Sequence, residues 1–120
     1  MTTTLYERLG SAEGIAKLVD EVMEAHLSNP IVKTRFENIK DMERAYQMAR
    51  EFFCAGAGGP QTYTGKDMLT AHKGMNISEQ EYLAVTDDIV GAMMKQGLSE
   101  DTQKDVIAIL YSLKDQIIRV

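Results

Sequence analysis

Apolar residues recur three and four positions apart along most of this chain, and no stretch alternates strictly between apolar and polar. That spacing lines one face of an α-helix, whereas a half-buried strand needs a period of two. The class is all-α. The pattern lapses over residues 56–65, where Gly, Pro and Thr mark a loop.

The helix boundaries can be read from their capping residues. Thr4 and Glu7 form a capping box for a short first helix, and Gly10 with Ser11 reads as its end followed by a new N-cap. The next helix spans about residues 12–27, with Ile15, Leu18, Val19, Val22 and Met23 on its buried stripe. Ser28-Asn29-Pro30 is a turn, because Pro disfavours helix at the residue before it, and a brief turn over residues 31–36 follows. Asp41 N-caps a helix reaching residue 55, whose inward face is Ala45, Met48, Ala49, Phe52 and Phe53. Two alanines in one stripe either admit a neighbouring helix closely or leave room for a non-protein filler. Ser78 and Glu81 make a second capping box, with Ile77 stapled on Tyr82, and this helix carries Leu83, Val85, Ile89, Met93 and Met94 before Gly97 ends it. Ser99, followed by Glu100 and Asp101, opens a last helix whose buried stripe is Ile107, Leu110, Leu113 and Ile117. There are no internal repeats, so the expectation is one domain over residues 1–120, a bundle of four principal helices with short accessories.

A chain of 120 residues can bury one core without disulfides or structural zinc. Cys54 is the one cysteine, which excludes an intrachain disulfide and fits a reducing compartment. A net charge of −5 with dispersed Lys and Arg argues against nucleic acid as a partner. Glu7 and Arg8 fall where a signal peptide needs an apolar run, and no later run is long enough to span a bilayer. A cytoplasmic protein with no stable membrane association is expected.

The chemistry concentrates in residues 58–77, where a short apolar turn of Met68, Leu69 and Ala71 delivers His72 and stops at Gly74. An imidazole so presented is either a metal ligand or a hydrogen-bonded structural residue, and the residues alone favour the structural role. His26 reads as an exposed helix position, or as the edge of the same cavity. The methionines suit irregular core gaps, although Met is also an axial haem ligand in some proteins. Cys54 beside Phe52 and Phe53 reads as an inert buried thiol. Gly58-Gly59 lacks the surroundings of a P-loop or a dinucleotide motif and is read as a turn that approaches a neighbour closely. Tyr63 and Lys66 offer a hydroxyl and a cation, for a carboxylate or for solvent.

Taken in order, Leu5-Tyr6-Glu7-Arg8-Leu9-Gly10, Phe52-Phe53, Gly58-Gly59-Pro60, Tyr63-Thr64-Gly65 and Met68 to His72 with Gly74 resemble the truncated haemoglobins, most closely their first group. The resemblance covers nearly the whole chain. It implies a two-over-two sandwich of antiparallel helices around haem b, with His72 as the proximal iron ligand. Phe36 matches the aromatic residue on the haem face, and Tyr63 and Lys66 lie where the family contacts propionates. Phe52 and Met68 belong to the same pocket, and Ala71, Ile77, Tyr82, Val85 and Ile89 line its proximal and buried edges. The distal side departs from the pattern. Met23 stands where the group commonly has Tyr, and Ala45 and Ala49 where Gln or another larger residue is frequent. Loss of both donors should weaken the hold on bound oxygen. Tyr46 could swing inward, and Met48, His26, water or nothing could take the sixth position on iron.

The implied function is reversible binding of oxygen, carbon monoxide or nitric oxide at iron held by His72, with a reductase as a possible partner. An alternative is redox turnover, as a nitric oxide dioxygenase or a peroxidase-like enzyme, although no distal acid–base pair is visible in the sequence. A haem-free helical module taking a partner helix in an Ala-lined groove is the remaining alternative.

Overall fold

Capping side chains start most of the helices where the sequence places them. In the computed structural model, which describes residues 3–120, Thr4 and Glu7 close the expected box over α1 (Leu5–Arg8). Ser78 and Glu81 do the same for α6 (Glu79–Lys95), and Ser99 accepts from the Thr102 N–H at the start of α7 (Glu100–Leu113). Asp41 accepts from the Arg44 N–H and begins α4 (Met42–Gly56). The start of α2 (Ser11–Ser28) differs from expectation. Gly10 is its N-cap, at φ 94°, and Ser11 takes φ 58°. An N-cap side chain needs an extended backbone to reach the first free N–H groups. Ser11, inside the turn, makes no such bond.

The long helices form two pairs. α2 packs on α4, α6 packs on α7, and α2 also crosses to α6, which produces the two-over-two arrangement that the resemblance implies. α3 (Lys33–Glu37) covers the end of α2, and α5 (Met68–His72) lies against a 3₁₀ turn, Lys114–Gln116. The core joins Leu9, Ile15, Leu18, Val19, Val22 and Met23 to Ile89, Ala92, Met93 and Val106. Burying side chains of this size contributes about 1.5–3 kcal/mol each.

On α7 the buried phase differs from the expected one. Val106 and Thr102 face inward, while Ile107 is 38 % exposed. Leu83 and Met94 likewise point out of α6, because Ala84, Ile89, Ala92 and Met93 set its inner face. The loop after α4 behaves as its glycines suggest. Gly58 turns at φ 87°, and the Tyr6 ring lies where a Gly59 Cβ would sit, 2.5 Å away. The Tyr6 N–H donates to the Ala57 carbonyl at 2.9 Å, which docks α1 on the end of α4.

Nothing in the helical pattern anticipates how α5 is held. Five residues do not sustain a helix alone. Asp67 caps it, and the C-terminal residues clamp the chain just beyond it. The Gly74 and Asn76 N–H groups donate to the Val120 carbonyl, each at 3.2 Å, and Arg119 N–H donates to the Ile77 carbonyl at 2.8 Å. Among the described residues no helix is long and apolar enough to cross a membrane.

Candidate functional site

A cavity of about 410 Å³ opens between α2, α3, α4, α5, α6 and α7. Its size falls in the range of small-molecule and cofactor sites, and its wall is overwhelmingly apolar. The interval of three and four residues builds each wall. Val22, Met23 and His26 come from α2, and Ala49, Phe52, Phe53 and Gly56 from α4. Met68 and His72, one helical turn apart, come from α5, and Tyr82, Val85 and Ile89 from α6.

His72 is half-buried, and its Nδ1 lies 2.8 Å from the Met68 carbonyl. A carbonyl oxygen only accepts, so Nδ1 carries a proton, and in the neutral ring Nε2 holds the lone pair. That is the tautomer a metal ligand requires, fixed by an acceptor on the far nitrogen.

His26 corrects the expectation of an exposed helix position. It is 3 % exposed, stacks on Phe36 with ring centroids 4.4 Å apart, and sits 2.8 Å through Nδ1 from the Asp88 carboxylate. Asn29 Nδ2 donates to both oxygens of Asp88, at 3.1 and 3.2 Å. Burial pulls the imidazole below its ordinary value, and the hydrogen bond and charge of Asp88 oppose it without prevailing. His26 is therefore a neutral ring donating Nδ1–H to Asp88. Its phase was visible in the sequence, four residues after Val22 and three after Met23, but its polarity argued for the outside.

An ion pair closes another part of the wall. Arg35 reaches Glu81 through Nε at 2.6 Å and Nη2 at 3.1 Å, and its Nη1 donates to the Met75 carbonyl at 2.9 Å. Glu81 also accepts from the Ser78 N–H at 3.0 Å, so the capping residue of α6 doubles as the anchor of α3. The Arg35 guanidinium is the main reason that the Glu81 carboxyl falls to about 2. Tyr82 donates to the Leu110 carbonyl at 2.6 Å, and burial pushes its hydroxyl up to about 12. No short-range pattern announces these partners, since Arg35 and Glu81 meet across 46 positions.

Of the residues singled out from sequence, Met23, Phe36, Ala49, Phe52, Met68, His72, Ile77, Tyr82, Val85 and Ile89 share this cavity. Six others do not form its wall. Ala45 is in phase with Ala49 but one turn earlier, and it packs on the core instead. Tyr46 packs on the core, with the Arg50 guanidinium 5.9 Å from its ring centre, and neither it nor Met48 lines the cavity. Tyr63 turns its hydroxyl to the Lys66 carbonyl at 2.6 Å and its ring edge to Phe52, and the Lys66 side chain is exposed. Ala71 is exposed and does not line the cavity. Cys54 is buried and its thiol is pushed up by desolvation, as befits an inert residue.

The model of the family described as bacterial-like globin matches residues 4–119. The group 1 truncated hemoglobin GlbN of Synechocystis sp. is 31 % identical over 113 residues, 89 % of each chain. The group 1 truncated hemoglobin of Tetrahymena pyriformis is 27 % identical over 95 % of this chain and 94 % of its own. A crystal structure of truncated hemoglobin from Tetrahymena pyriformis in the Fe(III) form superposes with a TM-score of 0.93, at 24 % identity over 98 % of this chain and all of that one. That match in backbone, over nearly the full length, agrees with a family model covering nearly every residue. The chain belongs to the bacterial-like globin family, among the group 1 truncated haemoglobins.

Proposed function

We propose that this globin holds haem b in the cavity, with the iron on Nε2 of His72, and reversibly binds oxygen, carbon monoxide or nitric oxide. Family membership supports haem-based gas binding in general. The observation that carries the assignment to His72 is the 2.8 Å approach of its Nδ1 to the Met68 carbonyl, which leaves the Nε2 lone pair for the cavity. The donor set fits the group: an imidazole on a largely apolar wall, where the one lining carboxylate, Glu81, is taken up by Arg35. Bound there, haem iron supplies an open coordination position for a diatomic gas.

The chain's own residues do the rest. Phe36, Phe52 and Val85, on the cavity wall, would exclude water from a bound haem, and the apolar lining would give it a medium of low polarity. Met23 and Ala49, on the side given to the gas, bring no hydrogen-bond donor. Bound oxygen carries partial negative charge that such walls do not stabilise, so carbon monoxide is favoured relative to oxygen. Optical spectra of the purified ferric and ferrous protein test the proposal. A Soret band with five- or six-coordinate haem is expected in the parent. His72→Ala with full haem occupancy and an unchanged spectrum would remove His72 as the ligand.

The His26–Asp88 pair favours a second reading, redox turnover as a nitric oxide dioxygenase or with peroxide. It supplies the acid–base group on the cavity wall that such chemistry needs. Nitrate formed on mixing the oxygenated protein with nitric oxide checks it, and a yield no better than that of free haem would remove it. A reductase would then be the partner that returns the iron to the ferrous state.

A further inference from the structure

His26 separates two spaces. On one side is the apolar cavity, whose wall it forms with Met23 and Phe36. On the other is a cleft between α2 and α6, lined by Glu21, Glu24, Ser28, Asp88 and Lys95, where Asp88 receives Nδ1. With Nδ1 committed to Asp88, Nε2 is the nitrogen left for the cavity. The ring is held from two sides: Phe36 stacks on its face and Asp88, itself fixed by Asn29, holds its edge. Asn29 is in turn oriented by the Ile31 N–H, which donates to its Oδ1 at 3.1 Å.

A hydrogen-bonded neutral imidazole between a dry space and a carboxylate in a polar cleft is the geometry of a proton relay. We infer that His26 and Asp88 carry protons out of the cavity, and that the ligands this serves are small weak acids that enter neutral and bind as their anions, such as hydrogen cyanide and hydrogen peroxide. The inference rests on the haem reading of the same cavity. In the step, the H–X bond breaks, its electron pair stays on X, and the proton passes to Nε2 of His26. Asp88 stabilises the imidazolium and takes the Nδ1 proton, and the proton leaves through the cleft. The ring returns to its starting tautomer as the ligand leaves: X⁻ recovers the Nε2 proton and departs as H–X, while Nδ1 takes a proton back from the cleft through Asp88, so protons and charge balance without an oxidant or reductant.

The charged groups around the ring fit that direction of travel. Asp88 approaches from α6, and in the cleft Glu21 and Glu24 add negative charge that Lys95 offsets by pairing with Glu21 at 3.1 Å. On the cavity side Arg35 is paired with Glu81, and His72 Nδ1 is bonded to the Met68 carbonyl. Burial keeps His26 unprotonated at rest, so it is free to accept.

The test compares cyanide binding to the ferric holoprotein with carbon monoxide binding to the ferrous holoprotein, by rapid mixing at neutral pH. Cyanide there is mostly hydrogen cyanide and must lose a proton, whereas carbon monoxide loses none. His26→Phe keeps the stack on Phe36 and removes the base, and Asp88→Asn keeps the shape and removes the charge. Each is expected to lower the ratio of cyanide to carbon monoxide association rates, by about a hundredfold for the first and about tenfold for the second. Nitrogen NMR of the imidazole, independent of ligand binding, is expected to report the Nδ1–H tautomer of His26 in the parent. A ratio within about twofold of the parent in both variants, or an Nε2–H tautomer, overturns the relay while an intact Soret band leaves the haem reading standing. A low-spin six-coordinate ferric spectrum that His26→Phe abolishes places His26 on the iron and overturns it too. A parent protein with no Soret band overturns the haem reading, and the relay with it.

Discussion

The two histidines of the cavity are built alike and held differently. Both give Nδ1 to an oxygen at 2.8 Å and so keep Nε2 for the interior. His72 rides on a five-residue helix, half-buried, and its acceptor is the carbonyl one turn back on that helix. His26 lies in an 18-residue helix, buried, and its acceptor is a carboxylate from another helix 62 positions away. A carbonyl fixes the tautomer without adding a full charge, which suits a ring that must stay neutral to coordinate. A carboxylate fixes it and also stabilises the protonated ring, which suits one that must gain and lose a proton. The contrast teaches that the same local geometry carries a different charge partner in each case, and on the proposed reading that partner separates a ligand from a base.

The largest expected effect strikes the His72 side. His72→Ala should abolish specific iron coordination, seen as loss of the parent Soret band on reconstitution, while His26→Phe should retain it. Equal loss in both would end the division of roles.

Next comes the frame that joins the two sides. Arg35→Met leaves Glu81 part-buried without its partner and the Met75 carbonyl without a donor. A loss of about 2–4 kcal/mol is expected, measured as a shift of the urea midpoint. The pH dependence has a definite sign. Glu81 is held at about 2, below its ordinary 4.5, so its contribution is present above 4.5 and is lost as pH falls through about 2. The parent should keep this contribution at mild acidity, and the variant should keep only the smaller part that the Ser78 hydrogen bonds supply.

On the His26 side the slope runs through a higher window. The folded protein holds His26 below 6.5, so between the folded and unfolded values the unfolded chain binds more protons. Stability from the neutral ring is full above 6.5 and declines as pH falls below it. His26→Phe should flatten that decline in denaturant midpoints measured across the range. Asp88→Asn should cost about 1–3 kcal/mol at neutral pH by weakening the bond to the buried ring.

The smallest effects sharpen the description of the gas-binding face. Ala49→Gln places a donor on the cavity wall and should slow oxygen dissociation more than Ala45→Gln, which starts from a position off that wall. Tyr46→Phe should leave the oxygen dissociation rate unchanged, since Tyr46 packs under Arg50 and outside the cavity. Acceleration in Tyr46→Phe would show that its hydroxyl reaches the gas.

Most of the helix plan was legible because it is local. Thr4, Asp41, Ser78 and Ser99 satisfy free N–H groups within three residues of themselves, so the pattern and its cause lie in the same short stretch. The errors fall where local rules compete with packing. Ser11 is a competent cap in a backbone that cannot use it, and Ile107 is more apolar than Thr102 yet lies on the wrong side of α7. The cavity was half legible in the same way. The spacing of Val22, Met23 and His26 and of Ala49, Phe52 and Phe53 follows from 3.6 residues per turn. Ala71, Tyr46 and Met48 lie within a turn of lining residues yet do not themselves form the wall.

By itself, then, the sequence determined the helical class, the capped ends, the loop that delivers His72 and the family pattern that gives His72 its meaning. Only the tertiary structure decided the partners: Asp88 for His26, Glu81 for Arg35, and the C-terminal residues for the short helix of His72. The physical reason is one of range. Periodicity and capping act within a turn or two of helix, while charge pairing and the burial that shifts a histidine act between residues that only the packing of α2, α3 and α6 brings together.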